Sequence, residues 1–253
     1  MKQNPFDLNN QTALVTGGGT GLGFGIAKCF VAAGARVVLV GRREAELTKA
    51  RAALGENAFV LCGDVNQTEN ASALLDDAEK LAGSISILVN NAGVHLKKDA
   101  VDTSDAEFAS VLQTHVFGAF ALTREAGRRM IKRKSGSVLF IASMASFLSI
   151  PKIVAYTTAK TATLGLVRAL AAEWGPAGVR VNAIAPGWIH SDMTAKALDN
   201  DPPRKAKILG RTALGGFGEA EDIGWAAVYL CSRAGKFITG TVLPVDGGAA
   251  NGF

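Results

Sequence analysis

Short runs rich in Val, Ile and Leu recur from one end of the chain to the other, with helix-period segments between them. TALVTG (12–17), RVVLVG (36–41), NAFVLCGDV (57–65) and SILVNNAG (86–93) come first. SVLFIAS (137–143), VRVNAIAPG (179–187) and TVLPVDGG (241–248) follow. These runs do not alternate apolar with polar positions. They are nearly continuous, as strands are when both faces of a sheet are covered. The pattern predicts a doubly wound α/β domain of seven parallel strands with helices on both faces. No linker, repeat or low-complexity block divides residues 1–253, so one domain is expected. Residues 188–212 break the rhythm, and they include Pro202 and Pro203. A connection this long in a compact domain points to a mobile cover over a site.

Composition narrows the class. With 48% hydrophobic residues the chain can bury a substantial core. Cys29, Cys62 and Cys231 stand far apart beside apolar residues, which predicts buried, reduced thiols in a cytoplasmic protein. His95, His115 and His190 show no ligand spacing, so no metal site is expected. The opening MKQNPFDLNN has no apolar core of a signal peptide, and the uncharged run 135–151 falls short of the roughly 18 residues of a membrane span. The net charge is +5, and its densest basic stretch is TREAGRRMIKRKSG (123–136). Cations near a helix C-terminus, followed by Gly136, suit the helix dipole, while docking of an acidic partner is the competing reading. No aromatic-interleaved basic groove suggests nucleic acid.

The first run leads into a glycine turn, TALVTGGGTGLGFGIAKCF (12–30). Glycine lets backbone N–H groups approach a pyrophosphate at a helix N-terminus. The spacing is Gly17-x-x-x-Gly21-x-Gly23, with Gly19, Thr20 and Leu22 between, and it does not fit the general dinucleotide fingerprint. A tight structural turn competes with a cofactor site at this point, and the position after the first strand favours the cofactor. After the second run the chain reads Gly41-Arg42-Arg43. A carboxylate at that point would meet a ribose 2′-hydroxyl, whereas Arg42 can pair with a 2′-phosphate. NADP(H) is therefore favoured and NAD(H) stays open; the plain alternative is a solvated loop arginine. Asp64 and Val65 after the third run suit an adenine ring, or a simple turn.

Tyr156 and Lys160 are four residues apart and share a helix face. A phenol titrates near 10, and a nearby ammonium brings it toward the working range. Ser143 ends the fifth run, where ligand sites of open α/β sheets lie, and its hydroxyl could polarise a carbonyl. Asn90-Asn91-Ala92-Gly93 ends the fourth run at the same edge.

Thr16-Gly17-x-x-x-Gly21-x-Gly23, Asp64, Asn90-Asn91-Ala92-Gly93, Ser143, Tyr156-x-x-x-Lys160, Pro186-Gly187 and Val245-Asp246-Gly247-Gly248 occur together, in order, along the whole chain. This set resembles the short-chain dehydrogenase/reductase family. The resemblance implies a Rossmann-like domain that interconverts a secondary alcohol and a ketone by hydride transfer. It implies that Tyr156 is the general acid/base. Lys160 would lower its pKa and bond the nicotinamide ribose, and Ser143 would orient the substrate carbonyl. Asn91, Ala92 and Gly93 would line the ribose, while Pro186, Gly187 and Ile189 would sit against the nicotinamide. It further implies a homotetramer, with which the apolar C-terminal segment is consistent.

One position departs from the family. His115, in HVFGAF (115–120), stands where the family has an asparagine that positions a relay water. An imidazole can donate and accept hydrogen bonds, so the relay could survive with an added pH dependence near neutrality. His115 also follows Phe108, Val111 and Leu112 at helical spacing, as a core histidine would, and the relay could instead be lost. In that last case the chain is a dinucleotide-binding sensor or scaffold. The substrate is a small carbonyl or alcohol compound met by His95, Met144, Ile150, Trp188 and the 188–212 cover. Two subgroups resemble the chain: sugar or sugar-acid dehydrogenases, toward which IASMASF (141–147) leans, and 3-oxoacyl-carrier-protein reductases. For the second, an acidic carrier protein would dock on Lys132, Arg133 and Lys134, although Ala177 stands where such reductases tend to carry arginine.

Overall fold

All seven apolar runs form strands; β2 matches its run, β5 starts one residue earlier and stops short of Ser143, and the others are trimmed at one or both ends. They are β1 (Thr12–Thr16), β2 (Arg36–Gly41), β3 (Ala58–Cys62), β4 (Ile87–Asn90), β5 (Gly136–Ile141), β6 (Val179–Pro186) and β7 (Val242–Val245). The structure is a computed structural model and describes residues 4–190 and 201–252. The strands make one sheet in the order β3-β2-β1-β4-β5-β6-β7, with every pair parallel. From β1 the chain winds outward to β3, then returns to place β4 on the other side of β1. The crevice between the ends of β1 and β4 is the switch point where open sheets bind ligands.

Helices cover both faces. The chain has α1 (Gly21–Ala32), α2 (Glu44–Leu54), α3 (Ala71–Ala82), α4 (Asp105–Leu112), α5 (Ala119–Arg133), α6 (Val154–Trp174), α7 (Pro202–Arg211) and α8 (Ala220–Cys231). Two apolar clusters form the core, one on each side of the sheet. The first gathers Leu75, Leu122, Met130 and Trp174 against Leu14, Val38, Leu88 and Val138. The second gathers Ile26, Phe30, Leu47 and Val228 against Val15, Val37, Leu39 and Ile184. Alternate residues of the same strands serve opposite faces, which explains the continuous apolar runs.

Three local expectations need correction. Cys62 is exposed rather than buried, because it ends β3 at the sheet edge; Cys29 and Cys231 are buried. Residues 202–211 of the expected cover form α7, and residues 191–200 of that cover lie outside the described residues. Pro202 and Pro203 occupy the first helical positions, where a missing N–H costs nothing, and the Asp201 side chain caps the turn by accepting from the Arg204 N–H at 3.2 Å. Third, α5 ends on Lys134 in the left-handed region (φ 53°), and Gly136 opens β5 instead of ending the helix. No helix among the described residues is long and apolar enough to cross a membrane.

Candidate active site

Because every strand runs the same way, the segments after β1 to β7 meet at one edge of the sheet. After β1, Gly17 (φ +66°) and Gly21 (φ +55°) adopt left-handed backbone on either side of Gly19 and Thr20. A Cβ at Gly23 would stand 2.2 Å from the Gly17 carbonyl oxygen, so only glycine lets α1 start this close to the turn. The turn is tied to the end of β4. The Thr16 hydroxyl accepts from the N–H groups of Asn91 and Ala92, each at 3.0 Å, and the Asn91 amide donates to the Thr16 carbonyl at 2.9 Å. Thr16 and Asn91 thus have a structural duty that the sequence did not reveal.

These segments wall a cleft of about 280 Å³. Of the residues named from sequence, Gly17, Gly19, Thr20, Arg42, Asp64, Val65, Asn91, Ala92 and Gly93 line it. Gly21, Leu22 and Gly23 begin α1 behind the wall and do not line it. Neither do Pro186, Gly187 and Ile189, which stand further along the edge: Gly187 donates to the Val245 carbonyl at 3.0 Å, and Ile189 bridges to Gly218. Arg42 approaches Asp64 at 3.8 Å across the cleft. Arg43, given no role from sequence, also lines the cleft and donates to the Thr20 hydroxyl at 3.3 Å. It brings a second guanidinium onto the glycine turn. The adjacent Arg42-Arg43 pair was the available signal. A glycine cradle bordered by two arginines fits a pyrophosphate bearing a further phosphate.

Beyond the cleft lie the candidate chemical groups. Ser143 follows β5, its hydroxyl accepting from the Ala145 N–H at 3.1 Å. Tyr156 and Lys160 are one turn apart on α6, as the spacing required. Burial raises the Tyr156 phenol above its usual pKa, and the neighbouring Ser143 hydroxyl pulls it down. Lys160 is 5% exposed, and burial pushes its ammonium down to about 7. Its Nζ donates to the Ile141 carbonyl at 2.5 Å and lies 5.5 Å from the Tyr156 ring centroid. In this state the lysine is held on the backbone of β5.

The Tyr156 ring lies between two imidazoles. His95 stacks on it at 5.1 Å, and His115 meets it edge-on at 5.4 Å. His115 sits in a wide π-type turn, Gln113–Gly118, that joins α4 to α5. It is buried, with its ring edge-on to Tyr156 and close against Gly93. Its Nε2 is 2.8 Å from the Val94 carbonyl and 3.1 Å from the Val94 N–H, so either tautomer finds a partner. Burial first, then the Lys160 charge, lower its pKa to about 4. The expected titration near neutrality is therefore corrected: the ring is neutral across the working range. Met144, expected to face substrate, is buried.

The proposed carrier-docking residues are placed elsewhere. Lys132, Arg133 and Lys134 end α5 immediately before β5 begins, at the sheet edge opposite Ser143 and Tyr156. Arg133 is engaged with Glu79 at 3.5 Å and with the Ile85 carbonyl at 2.6 Å.

Sequence and structure comparisons agree with this architecture. Residues 17–250 match the family model described as enoyl-(acyl carrier protein) reductase. The chain is 39% identical over 245 residues to 2-dehydro-3-deoxy-D-gluconate 5-dehydrogenase of Bacillus subtilis (strain 168), covering 96% of each. It is 37% identical over 248 residues to the 3-oxoacyl-[acyl-carrier-protein] reductase of Chlamydia muridarum (strain MoPn / Nigg), covering 96% of this chain and 98% of that protein. Among solved structures, the gluconate 5-dehydrogenase from Burkholderia cenocepacia J2315, in complex with NADP and tartrate, superposes with a TM-score of 0.92. That chain is 31% identical, with 98% of both covered. The chain belongs to the short-chain dehydrogenase/reductase family, and it is an oxidoreductase.

Proposed function

We propose that this chain interconverts a secondary alcohol and a ketone on a small polyhydroxylated substrate, using NADP(H) in preference to NAD(H), with Tyr156 as the general acid/base. The observation that supports the reading is that Tyr156 has the Ser143 hydroxyl and the Lys160 ammonium, 5.5 Å from its ring centroid, as neighbours, on the side of the sheet where the arginine-bordered glycine cleft opens. Arg42 and Arg43 would hold the 2′-phosphate, and the turn from Gly17 to Gly23 the pyrophosphate. Asp64 and Val65 would border the adenine, Asn91 to Gly93 the ribose, and Pro186, Gly187 and Ile189 the nicotinamide.

The nicotinamide supplies or accepts the hydride when bound. In the oxidative direction, Tyr156 takes the proton from the substrate hydroxyl as the carbonyl forms; in reduction it returns that proton to the oxygen. Ser143 donates a hydrogen bond to the same oxygen and keeps it against the phenol. Lys160 has three donors and gives one to Ile141, which leaves others for the ribose and the tyrosine. His115 holds Val94 in place and thereby shapes the loop that carries His95. NADP bound by the Burkholderia relative and the sugar acid named for the Bacillus relative support the cofactor and substrate class. The sheet edge occupied by Lys132 to Lys134 gives a carrier protein no support. A homotetramer is part of the proposal, read from the family, and light scattering tests it.

The test follows nicotinamide absorbance with sugar acids, polyols and 3-oxo esters. Turnover is expected, with NADP(H) preferred. Tyr156→Phe should lower kcat by about 10²–10⁴-fold while NADPH still binds. NADPH binding with no turnover of any compound by the unaltered protein would instead favour a sensor.

A further inference from the structure

We propose that the mouth of this site selects a polyhydroxy carboxylate, with Arg204 receiving the substrate's carboxylate and Lys97 as the second cation. The inference rests on the alcohol–ketone chemistry assigned to Tyr156, and it starts from two cations that form no ion pair among the described residues.

Arg204 stands on the first turn of α7, its backbone fixed by the Asp201 cap. Its guanidinium lies 5.7 Å from the centroid of the Trp188 ring, and Trp188 directly follows the Pro186-Gly187 turn at the end of β6. Trp188 is itself anchored, since its carbonyl accepts from the Gly218 N–H at 3.0 Å. An arginine resting on an indole face keeps its N–H fork free for a planar, bidentate acceptor. Across the mouth, His95 stacks on Tyr156. Burial lowers the His95 pKa first, and the charges of Arg204 and then Lys97 lower it further. Both cations therefore act on the ring that lies against the tyrosine.

Three carboxylates of this region among the described residues are already engaged. Asp99 pairs with Lys152 at 3.1 Å and Glu107 with Lys98 at 2.9 Å, while Asp201 accepts from the backbone of Arg204. Among the described residues, neither Arg204 nor Lys97 has an ion pair. Two cations with no ion pair among the described residues, acting on the His95 ring that stacks on Tyr156, attract an anion and fix which end of the substrate points outward. A carboxylate on Arg204 leaves a carbinol carbon, several atoms along the chain, to reach Tyr156 beneath His95. A neutral polyol gains nothing from this arrangement.

The probes are D-gluconate and 2-dehydro-3-deoxy-D-gluconate, set against the uncharged galactitol and D-glucitol. Each is assayed with NADP⁺, and each is also titrated calorimetrically into NADP⁺-loaded Tyr156→Phe protein. The carboxylates should be preferred. Arg204→Gln should raise their KM and dissociation constant about 10–100-fold, as loss of a charged hydrogen-bond partner does, with kcat changed by no more than about threefold. Arg204→Lys should keep part of the preference, Lys97→Gln should show a smaller loss, and the neutral polyols should be unaffected by all three. Equal or better binding of the polyols, no binding of either carboxylate, or a loss in Arg204→Gln common to both substrate classes overturns the proposal. Carboxylate binding that depends on Arg204 but is never followed by turnover would uphold it while refuting the chemistry assigned to Tyr156.

Discussion

Replacing Lys160 by methionine should abolish turnover and, at neutral pH, make the protein more stable. Methionine matches the four-atom stem of the side chain and carries no charge into the core. The unfolded lysine titrates near 10.5, and burial brings the folded group to about 7. That difference, at about 1.4 kcal/mol per pH unit, corresponds to roughly 5 kcal/mol by which burial disfavours the ammonium. The variant also loses the hydrogen bond to the Ile141 carbonyl, which offsets about 1–3 kcal/mol. A net gain of about 2–4 kcal/mol remains below pH 7.

The dependence on pH gives the sharper result. Below pH 7 the folded protein keeps the buried charge and bears its full cost. Between about 7 and 10.5 the folded lysine has released its proton while the unfolded lysine still holds one, so the stability of the unaltered protein rises with pH. The variant lacks this slope, and its advantage should shrink by about 3 kcal/mol between pH 6 and pH 9. Urea titrations of the cofactor-free proteins at pH 6, 7, 8 and 9 measure it. A difference between variant and parent that stays constant over those four values would refute a depressed Lys160, whatever happens to activity.

Other outcomes follow from the same geometry. With the His115 pKa pushed down to about 4 by burial, the ring stays neutral at pH 5–8, and His115→Asn should leave the shape of the kcat/KM profile over that range unchanged. A lost or new inflection there would show the imidazole titrating in the working range. A Cβ at Gly93 would lie 2.4 Å from His115 Cε1, so Gly93→Ala should destabilise the protein by about 1–3 kcal/mol. Adding His115→Asn should recover part of that loss, which a double-mutant cycle in urea reads directly. Arg43→Ala should raise KM for NADP⁺ by about tenfold or more with little effect on NAD⁺, as loss of one phosphate contact predicts.

The sheet was legible because its strands are buried on both faces, so each wrote a continuous apolar run. Thr12–Thr16 and Val179–Pro186, for example, were missed by at most one residue at an end. The glycine turn and the Tyr156–Lys160 pair were legible for a different reason: backbone freedom and helical spacing are properties of neighbouring residues. What stayed hidden depended on contacts distant in sequence. Arg43 gains its place from Thr20, twenty-three residues away. His115 has no visible partner in sequence, and its bond to Val94 joins the π-type turn to the loop after β4, twenty-one residues earlier. Pro202-Pro203 looked like a loop because proline breaks a helix interior, yet the same residues after an aspartate cap begin one.

That last misreading matters chemically. Had residues 201–212 been an irregular connection, Arg204 would be one more cation on a loose segment. As the third residue of a capped helix, it is held at both ends of its element. Asp201 fixes the start, while Thr212 closes the far end by donating its hydroxyl to the Ile208 carbonyl at 2.9 Å. The adjoining Arg211 donates to the Ala249 carbonyl at 3.0 Å, and the Leu214 N–H to the Gly247 carbonyl at 3.0 Å. A Cβ at Gly247 (φ +61°) would reach within 2.9 Å of Thr212 Cγ2, so the Val245-Asp246-Gly247-Gly248 turn accepts the helix only with glycine at that point. The sequence element that closes the sheet thus also seats the helix that carries the substrate-facing cation. Selectivity at the mouth and the geometry of β7 are joined through the same turn, and a substitution there should alter which substrate is taken before it alters how the proton moves.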